Sequence, residues 1–189
     1  MIPEQKEHLR QEISVKLKHL SLEESNKESS HLCDELFKHI EPTSIVCGYA
    51  PLLSEPDINP LLTALIERGN DVYLPRYEEG AIIFLKVKDL SLLEKGNQNI
   101  LEPAKDAAPL AIETADIVLV PGRAFDKKGN RLGRGAGGYD AWIAKARMKN
   151  ENIQCIGIAF DCQIVAEVPV ESHDERMDAL ALRSGYMAI

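Results

Sequence analysis

Between Val120 and Lys145 the chain reads VPGRAFDKKGNRLGRGAGGYDAWIAK, and the ten residues from Gly129 to Gly138 hold five of its twelve glycines. A backbone so bare of Cβ atoms can turn consecutive N–H groups toward a ligand and let that ligand come close. Cationic residues precede and interleave the glycines and an amphipathic segment follows. That arrangement suits an anion, above all nucleotide phosphate at a helix N-terminus. Gly133, Gly135 and Gly138 also satisfy G-x-G-x-x-G, which alone is weak evidence, and a mobile surface hairpin would use the same glycines. A Walker-type loop is excluded, because no glycine here is followed by Lys and then Ser or Thr.

Lys6 and Arg10 project from one face of a first helix, as a solvated face or as two cations reaching a phosphate, with Arg10 offering bidentate donors. Glu55 lies in the proline-flanked loop PLLSEPD (51 to 57), which can aim one carboxylate into a cleft. It is either a solvated acid or a partner for adjacent N–H donors such as those of an aminopyrimidine ring. Asp57 suits a cap for the helix begun at Ile58. Asp140 follows the glycines at a helix start, where it can cap that helix or hold magnesium together with phosphate oxygens and water. Tyr139 beside it can stack on a flat ring or pack in the core. Four of the five histidines, His8, His19, His31 and His39, lie on the N-terminal helices without zinc spacing, and only His173 with Asp174 stands out. Cys33, Cys47, Cys155 and Cys162 are scattered and read as small hydrophobes in a reducing compartment. No Ser/His/Asp or Cys/His constellation is visible.

These residues need a scaffold, and apolar periodicity supplies one. Helices are expected over 4 to 20 and from Ser21, which with Glu24 forms a capping-box pattern, to about His39. Short apolar runs then alternate with a helix begun by Pro60 and stopped by Gly69. Strands are expected at 44–50, 71–76, 81–87, 116–122, 155–160 and 164–170, with a helix from Tyr139 to about Asn150. The fold class is α/β: an open, doubly wound, mostly parallel sheet with helices on both faces and an N-terminal helical pair, forming a single domain over residues 1–189. The loop PLLSEPD after the first strand, the loop LPRYEEG after the second and the glycine loop after DIVLVPG should meet on one edge of that sheet. The stretch from Gly96 to Thr114 reads as a long connection. A net charge of −8 repels nucleic acid, no apolar run approaches the ~20 residues of a membrane span, and MIPEQKEHLRQE is too charged for a secretory signal. A cytoplasmic monomer acting on small molecules is expected.

The glycine-rich segment closely resembles the signature of 5-formyltetrahydrofolate cyclo-ligases, also called methenyltetrahydrofolate synthetases, roughly PG-x-AFD-x-x-G-x-RLG-x-G-x-GYYD. KEHLR (6 to 10), SEPD (54 to 57), LPRY (74 to 77), ILEP (100 to 103) and VPVESHDERMD (168 to 178) are similar to further family motifs in the same order. The resemblance implies ATP- and magnesium-dependent closure of 5-formyltetrahydrofolate to 5,10-methenyltetrahydrofolate, with release of ADP and phosphate. It further implies that Lys6, Arg10, Arg131, Leu132, Gly133, Arg134, Gly135, Ala136, Gly137, Gly138 and Tyr139 bind ATP. Tyr49, Ala50, Glu55 and Tyr139 would bind the folate, Asp140 magnesium, and Arg131 and Arg134 would act catalytically.

The chain departs from the family pattern at several positions. Ala136 stands where relatives have glycine or lysine, Gly138 where most have the first of two aromatics, and Asn99 where many have glycine. The tail LALRSG lacks the usual threonine and acid. If a lysine is lost at 136, Arg134 or Arg123 must absorb its role. Two other readings stand beside the enzyme: a non-catalytic folate- or nucleotide-binding relative, and a Rossmann-type protein using Gly133, Gly135 and Gly138 with Asp161 as ribose acid.

Overall fold

The computed structural model describes residues 1–96 and 100–189, so the departure at Asn99 lies outside the described residues. In chain order the elements are α1 (Ile2–His19), α2 (Leu22–His39), β1 (Ile45–Cys47), α3 (Asn59–Arg68), β2 (Asp71–Glu78), β3 (Ala81–Val87), β4 (Glu94–Lys95), β5 (Leu101–Glu102), β6 (Ile117–Pro121), β7 (Ala124–Asp126), β8 (Arg131–Leu132), α4 (Gly138–Lys149), β9 (Gln154–Ile158), β10 (Ile164–Val165), β11 (Ala179–Leu182) and β12 (Gly185–Ala188). The Ser21/Glu24 capping box forms at α2: the Glu24 N–H donates to Ser21 Oγ at 3.2 Å and the Ser21 N–H to the Glu24 carboxylate at 3.1 Å. Pro60 sits in the first turn of α3, and Gly69 ends that helix in the left-handed region.

Seven strands make the main sheet in the order β12-β11-β9-β6-β1-β2-β3. The five from β11 to β2 run parallel, and β12 and β3 are antiparallel edges. Alternation along β1 sends Val46 to the face covered by α2 and α3 and Cys47 to the face covered by α4. Helices therefore cover both faces, as expected. A second sheet, β10-β7-β8, carries α1 through Ile13, Ala124, Leu132 and Val168.

Three local expectations are corrected. LPRY is not a loop: β2 runs on to Glu78 and turns straight back into β3 through Glu79 and Gly80, both with positive φ (49° and 84°). Positive φ at both central residues is the hairpin turn that matches strand twist. Of the strand expected over 164–170 only Ile164–Val165 forms, pairing with β7. Pro169 has no N–H to give a ladder, and the Val168 N–H is drawn away to Asp126. The connection 96–114 contributes β5, which pairs antiparallel with β4, and a bridge from Pro109 to Leu85. The divergent LALRSG tail falls in the β11–β12 edge hairpin.

Asp126, fully buried, holds the β7–β8 hairpin that launches the glycine loop. Its Oδ1 accepts the N–H groups of Lys128 (2.9 Å) and Asn130 (3.1 Å), and its Oδ2 accepts Val168 N–H (3.0 Å) and Asn130 Nδ2 (2.9 Å). Burial alone would raise its pKa, but these bonds outweigh burial and hold the carboxyl below its ordinary value. Asp126→Asn offers one acceptor oxygen where two are used, and should cost about 2–3 kcal/mol, a melting temperature lower by roughly 4–12 °C. Differential scanning calorimetry of both proteins at neutral pH checks this.

Candidate functional site

The strand order reverses its direction of travel at β1: α3 carries the chain to β2 on one side, and β6 and β9 follow on the other. Such a switch point leaves a crevice beyond the carboxyl ends of its strands. Here it is a cavity of about 660 Å³, walled by Tyr49, Ala50, Leu52 and Glu55 after β1, Pro121 and Gly122 at the end of β6, the glycine loop 131–140, Lys6 and Arg10 of α1, and Tyr77 and Ile82 of the β2–β3 hairpin. The three expected segments thus meet, joined by the first helix.

The glycine loop, where phosphate binding is expected, leads into a helix start as the sequence predicts. Gly135 (φ 103°) and Gly137 (φ 68°) turn the loop through the left-handed region, and no side chain caps the N-terminus of α4 that follows. Free N–H groups of that first turn carry partial positive charge. Ala136 is exposed and lines the cavity. Gly138 departs from the aromatic pattern for a visible reason: a Cβ there would collide with the Tyr77 hydroxyl and press on Ile82. Tyr77 fills that corner, and burial raises its hydroxyl pKa while Arg131 opposes the rise. Tyr77 is a site residue that sequence reasoning misses; the one signal for it is the glycine that stands beside the loop's single tyrosine.

Arg131 is buried, donates from Nη2 to Asp140 Oδ2 (2.8 Å) and from Nη1 to Pro121 O (3.2 Å), and its buried Nε finds no partner among the described residues. Its guanidinium lies 5.7 Å from the Tyr139 ring centroid. Asp140 Oδ1 accepts the Glu175 N–H at 3.2 Å. Glu55, 8% exposed, accepts Leu52 N–H on Oε2 (3.0 Å) and two Arg134 donors on Oε1 (Nε 3.1 Å, Nη2 2.9 Å). Arg10 Nε donates to Gly133 O at 3.0 Å, bracing the loop. Arg123 belongs to this cationic group: burial, then Arg134, lowers its pKa, Glu55 opposes and Arg10 adds.

Lys6, expected at phosphate, is engaged by two acids. Its Nζ is 2.6 Å from Asp174 Oδ2 and 2.8 Å from Glu171 Oε2, tying α1 to the segment after Val170. Those two acids also line the cavity, with His173 exposed on its rim; the sequence singles out His173 and Asp174 but gives no sign of Glu171. Tyr49 presents its buried ring, since its hydroxyl donates to Pro56 O at 2.9 Å. Leu132 is buried beside Ile13, Ala124 and Val168. Asp57 accepts the Asn59 N–H at 3.0 Å, but α3 starts one residue later than expected, so Ile58 and not Asp57 holds the N-cap position. The Rossmann reading fails on placement. The loop leaves β8 of the small sheet, and Asp161 lies off the cavity with its N–H bound to Glu28.

For a divalent ion the donor set is sparse: among the described residues no three His, Cys, Asp or Glu side chains are placed so that they could hold a metal ion. Asp140 keeps a spare lone pair on each oxygen beside its two bonds. One carboxylate plus phosphate and water is a usual magnesium environment. The residues therefore fit an ion that arrives on a triphosphate.

The model of the 5-formyltetrahydrofolate cyclo-ligase family matches residues 2–182 of the chain. The mouse 5-formyltetrahydrofolate cyclo-ligase is 28% identical over 92% of this chain and 91% of its own, and the Mycolicibacterium smegmatis protein of that name 35% identical over 76% of each. The solution structure of the Aquifex aeolicus 5,10-methenyltetrahydrofolate synthetase superposes with a TM-score of 0.84 at 27% identity, over 97% of this chain and 92% of that one. The Mycoplasma pneumoniae synthetase, at 20% identity, shares the fold with a TM-score of 0.75, covering 94% and 98%.

The Lys6 contacts set a pH dependence. Burial works against both charges, yet for Lys6 the bonds to Asp174 and Glu171 prevail and raise its pKa, and for Asp174 those to Lys6 and the Glu171 N–H lower its pKa. Asp174 therefore adds stability above its unfolded value of about 3.9, lost as pH falls through its lower folded value; Lys6 adds stability below about 10.4, lost as pH rises through its higher one. At pH 7 Asp174→Asn should cost about 1.5–3 kcal/mol. Denaturant titrations should show that deficit shrinking below about pH 4.

Proposed function

The chain belongs to the 5-formyltetrahydrofolate cyclo-ligase family, and from that premise we propose how its cavity performs the ATP-dependent closure of 5-formyltetrahydrofolate to 5,10-methenyltetrahydrofolate. The triphosphate lies along residues 131–139 against the open N-terminus of α4, with Arg10 and, once released from its acids, Lys6 alongside. The folate lies between Tyr49, Ala50 and Tyr139, its pterin N–H donors on Glu55. The observation that carries this reading is that an uncapped helix start, the Arg131 and Arg134 guanidiniums and a buried carboxylate converge on one cavity.

The formyl oxygen attacks the γ-phosphorus as the bond to ADP breaks, giving a phosphorylated imidate. The neighbouring amine nitrogen then attacks the imidate carbon, phosphate leaves with the former formyl oxygen, and the amine proton is lost. No protein nucleophile enters, so positioning and charge stabilisation do the catalysis. The thiols agree: Cys33 and Cys155, both buried, are pushed up by burial to about 11 and about 12. Arg131 and Arg134 offset the charge that spreads over the transferred phosphoryl group. Magnesium bound to the phosphate oxygens with Asp140 would supply further neutralisation there. The site is built for small molecules, no described helix is long and apolar enough to cross a membrane, and we propose a cytoplasmic monomer.

Purified protein with ATP, magnesium and 5-formyltetrahydrofolate should form the methenyl product, followed by its near-ultraviolet absorbance. Binding of both ligands without product would favour the non-catalytic relative. Glu55→Gln removes a charged acceptor and should raise the folate KM roughly tenfold to a hundredfold. An unchanged KM for folate would take the pterin away from Glu55.

A further inference from the structure

The two groups that the proposed reading assigns to different substrates are bonded to each other. Arg134, meant for phosphate, places Nε and Nη2 at 3.1 and 2.9 Å from the same oxygen of Glu55, meant for the pterin, and Nη2 also reaches Ser54 Oγ at 3.1 Å. The pair spans the cavity from the loop after β1 to the glycine loop. We infer that the Glu55–Arg134 ion pair is a latch that couples the two substrate sites, so that ATP and 5-formyltetrahydrofolate each bind more tightly to the protein already holding the other.

The two partners differ in mobility in a way that fixes how the latch opens. The Glu55 side chain is 7% exposed and its other oxygen is anchored on the Leu52 N–H, whereas Arg134 is 39% exposed and stands between Gly133 and Gly135. Arg134 is the part that swings. When phosphate draws it off, a buried carboxylate is left without its cation, which is costly. The first ligand to bind bears that cost alone: ATP strands Glu55, and folate on Glu55 strands Arg134. The second ligand finds its partner already released, and its own contacts satisfy the stranded group. Linkage makes the effect reciprocal. Relief of one such pair falls within the usual range of coupling between sites, and about tenfold is expected.

This inference rests on the proposed two-substrate reading, and one set of calorimetric titrations separates them. A non-hydrolysable ATP analogue and 5-formyltetrahydrofolate are titrated singly and together. In the wild type each Kd should fall about tenfold when the other ligand is present. Arg134→Met should bind folate alone as tightly as the wild type or more tightly, with the nucleotide effect gone. Glu55→Gln should bind the ATP analogue more tightly than the wild type, because Arg134 is released from the start, even as folate affinity drops. A purely structural pair would weaken both ligands in both variants. Wild-type titrations in which both ligands bind independently, or a Glu55→Gln protein that is folded by its melting curve and binds the analogue more weakly, overturn the latch. A wild type that binds neither ligand overturns the two-substrate reading itself.

Discussion

The reversal of winding between β1 and β6 is the constraint on which the rest of the molecule turns. Parallel strands must return by crossovers over a face of the sheet, and where two neighbouring strands send their crossovers opposite ways the ends stay uncovered. Gly48 to Asp57 leaves one lip of that gap, and the segment from Gly122 through the glycine loop leaves the other. Both strands are only three and five residues long, yet each is buried on both faces, so their ends are fixed where the chemistry needs fixed positions. Within the small sheet, β7 and β8 extend the second lip outward and hand the chain to α4.

Around the gap the charges are balanced internally. Arg131 is matched by Asp140 across the glycine loop, while the pairs Arg134 with Glu55 and Lys6 with Asp174 and Glu171 each join two separate segments of the fold. Cations gathered in the role proposed for them would repel one another, and buried guanidiniums left alone are expensive. Pairing each with an acid stabilises the site and leaves every contact exchangeable. The Arg131 Nε is a buried side-chain donor of the loop without an acceptor among the described residues.

Much of this is legible in the sequence, and the misses share a cause. The helices, the parallel core and the glycine loop announce themselves through local rules: the Ser21–Glu24 box, Pro60 and Gly69, near-continuous apolar runs in β6 and β9, and glycines where φ turns positive. Pairing across the fold does not. That Lys6 would meet Asp174, some 168 residues away, or that Arg134 would meet Glu55 across 79, has no local signature. The proline of LPRY suggests a loop around Tyr77, yet Pro75 lies in β2 beside the antiparallel β3 and the strand continues past it. The β11–β12 hairpin leaves no periodic trace because ALAL and GYMA are too short to show one.

The central claim is that in this cavity the folate's formyl oxygen takes up the phosphoryl group and leaves with it as phosphate. Substrate labelled with oxygen-18 at the formyl group tests it in one turnover experiment, read by mass spectrometry of the products. The account predicts that the label appears in inorganic phosphate in one-to-one yield with the methenyl product. Label released into water, with phosphate formed unlabelled while product accumulates, would contradict it.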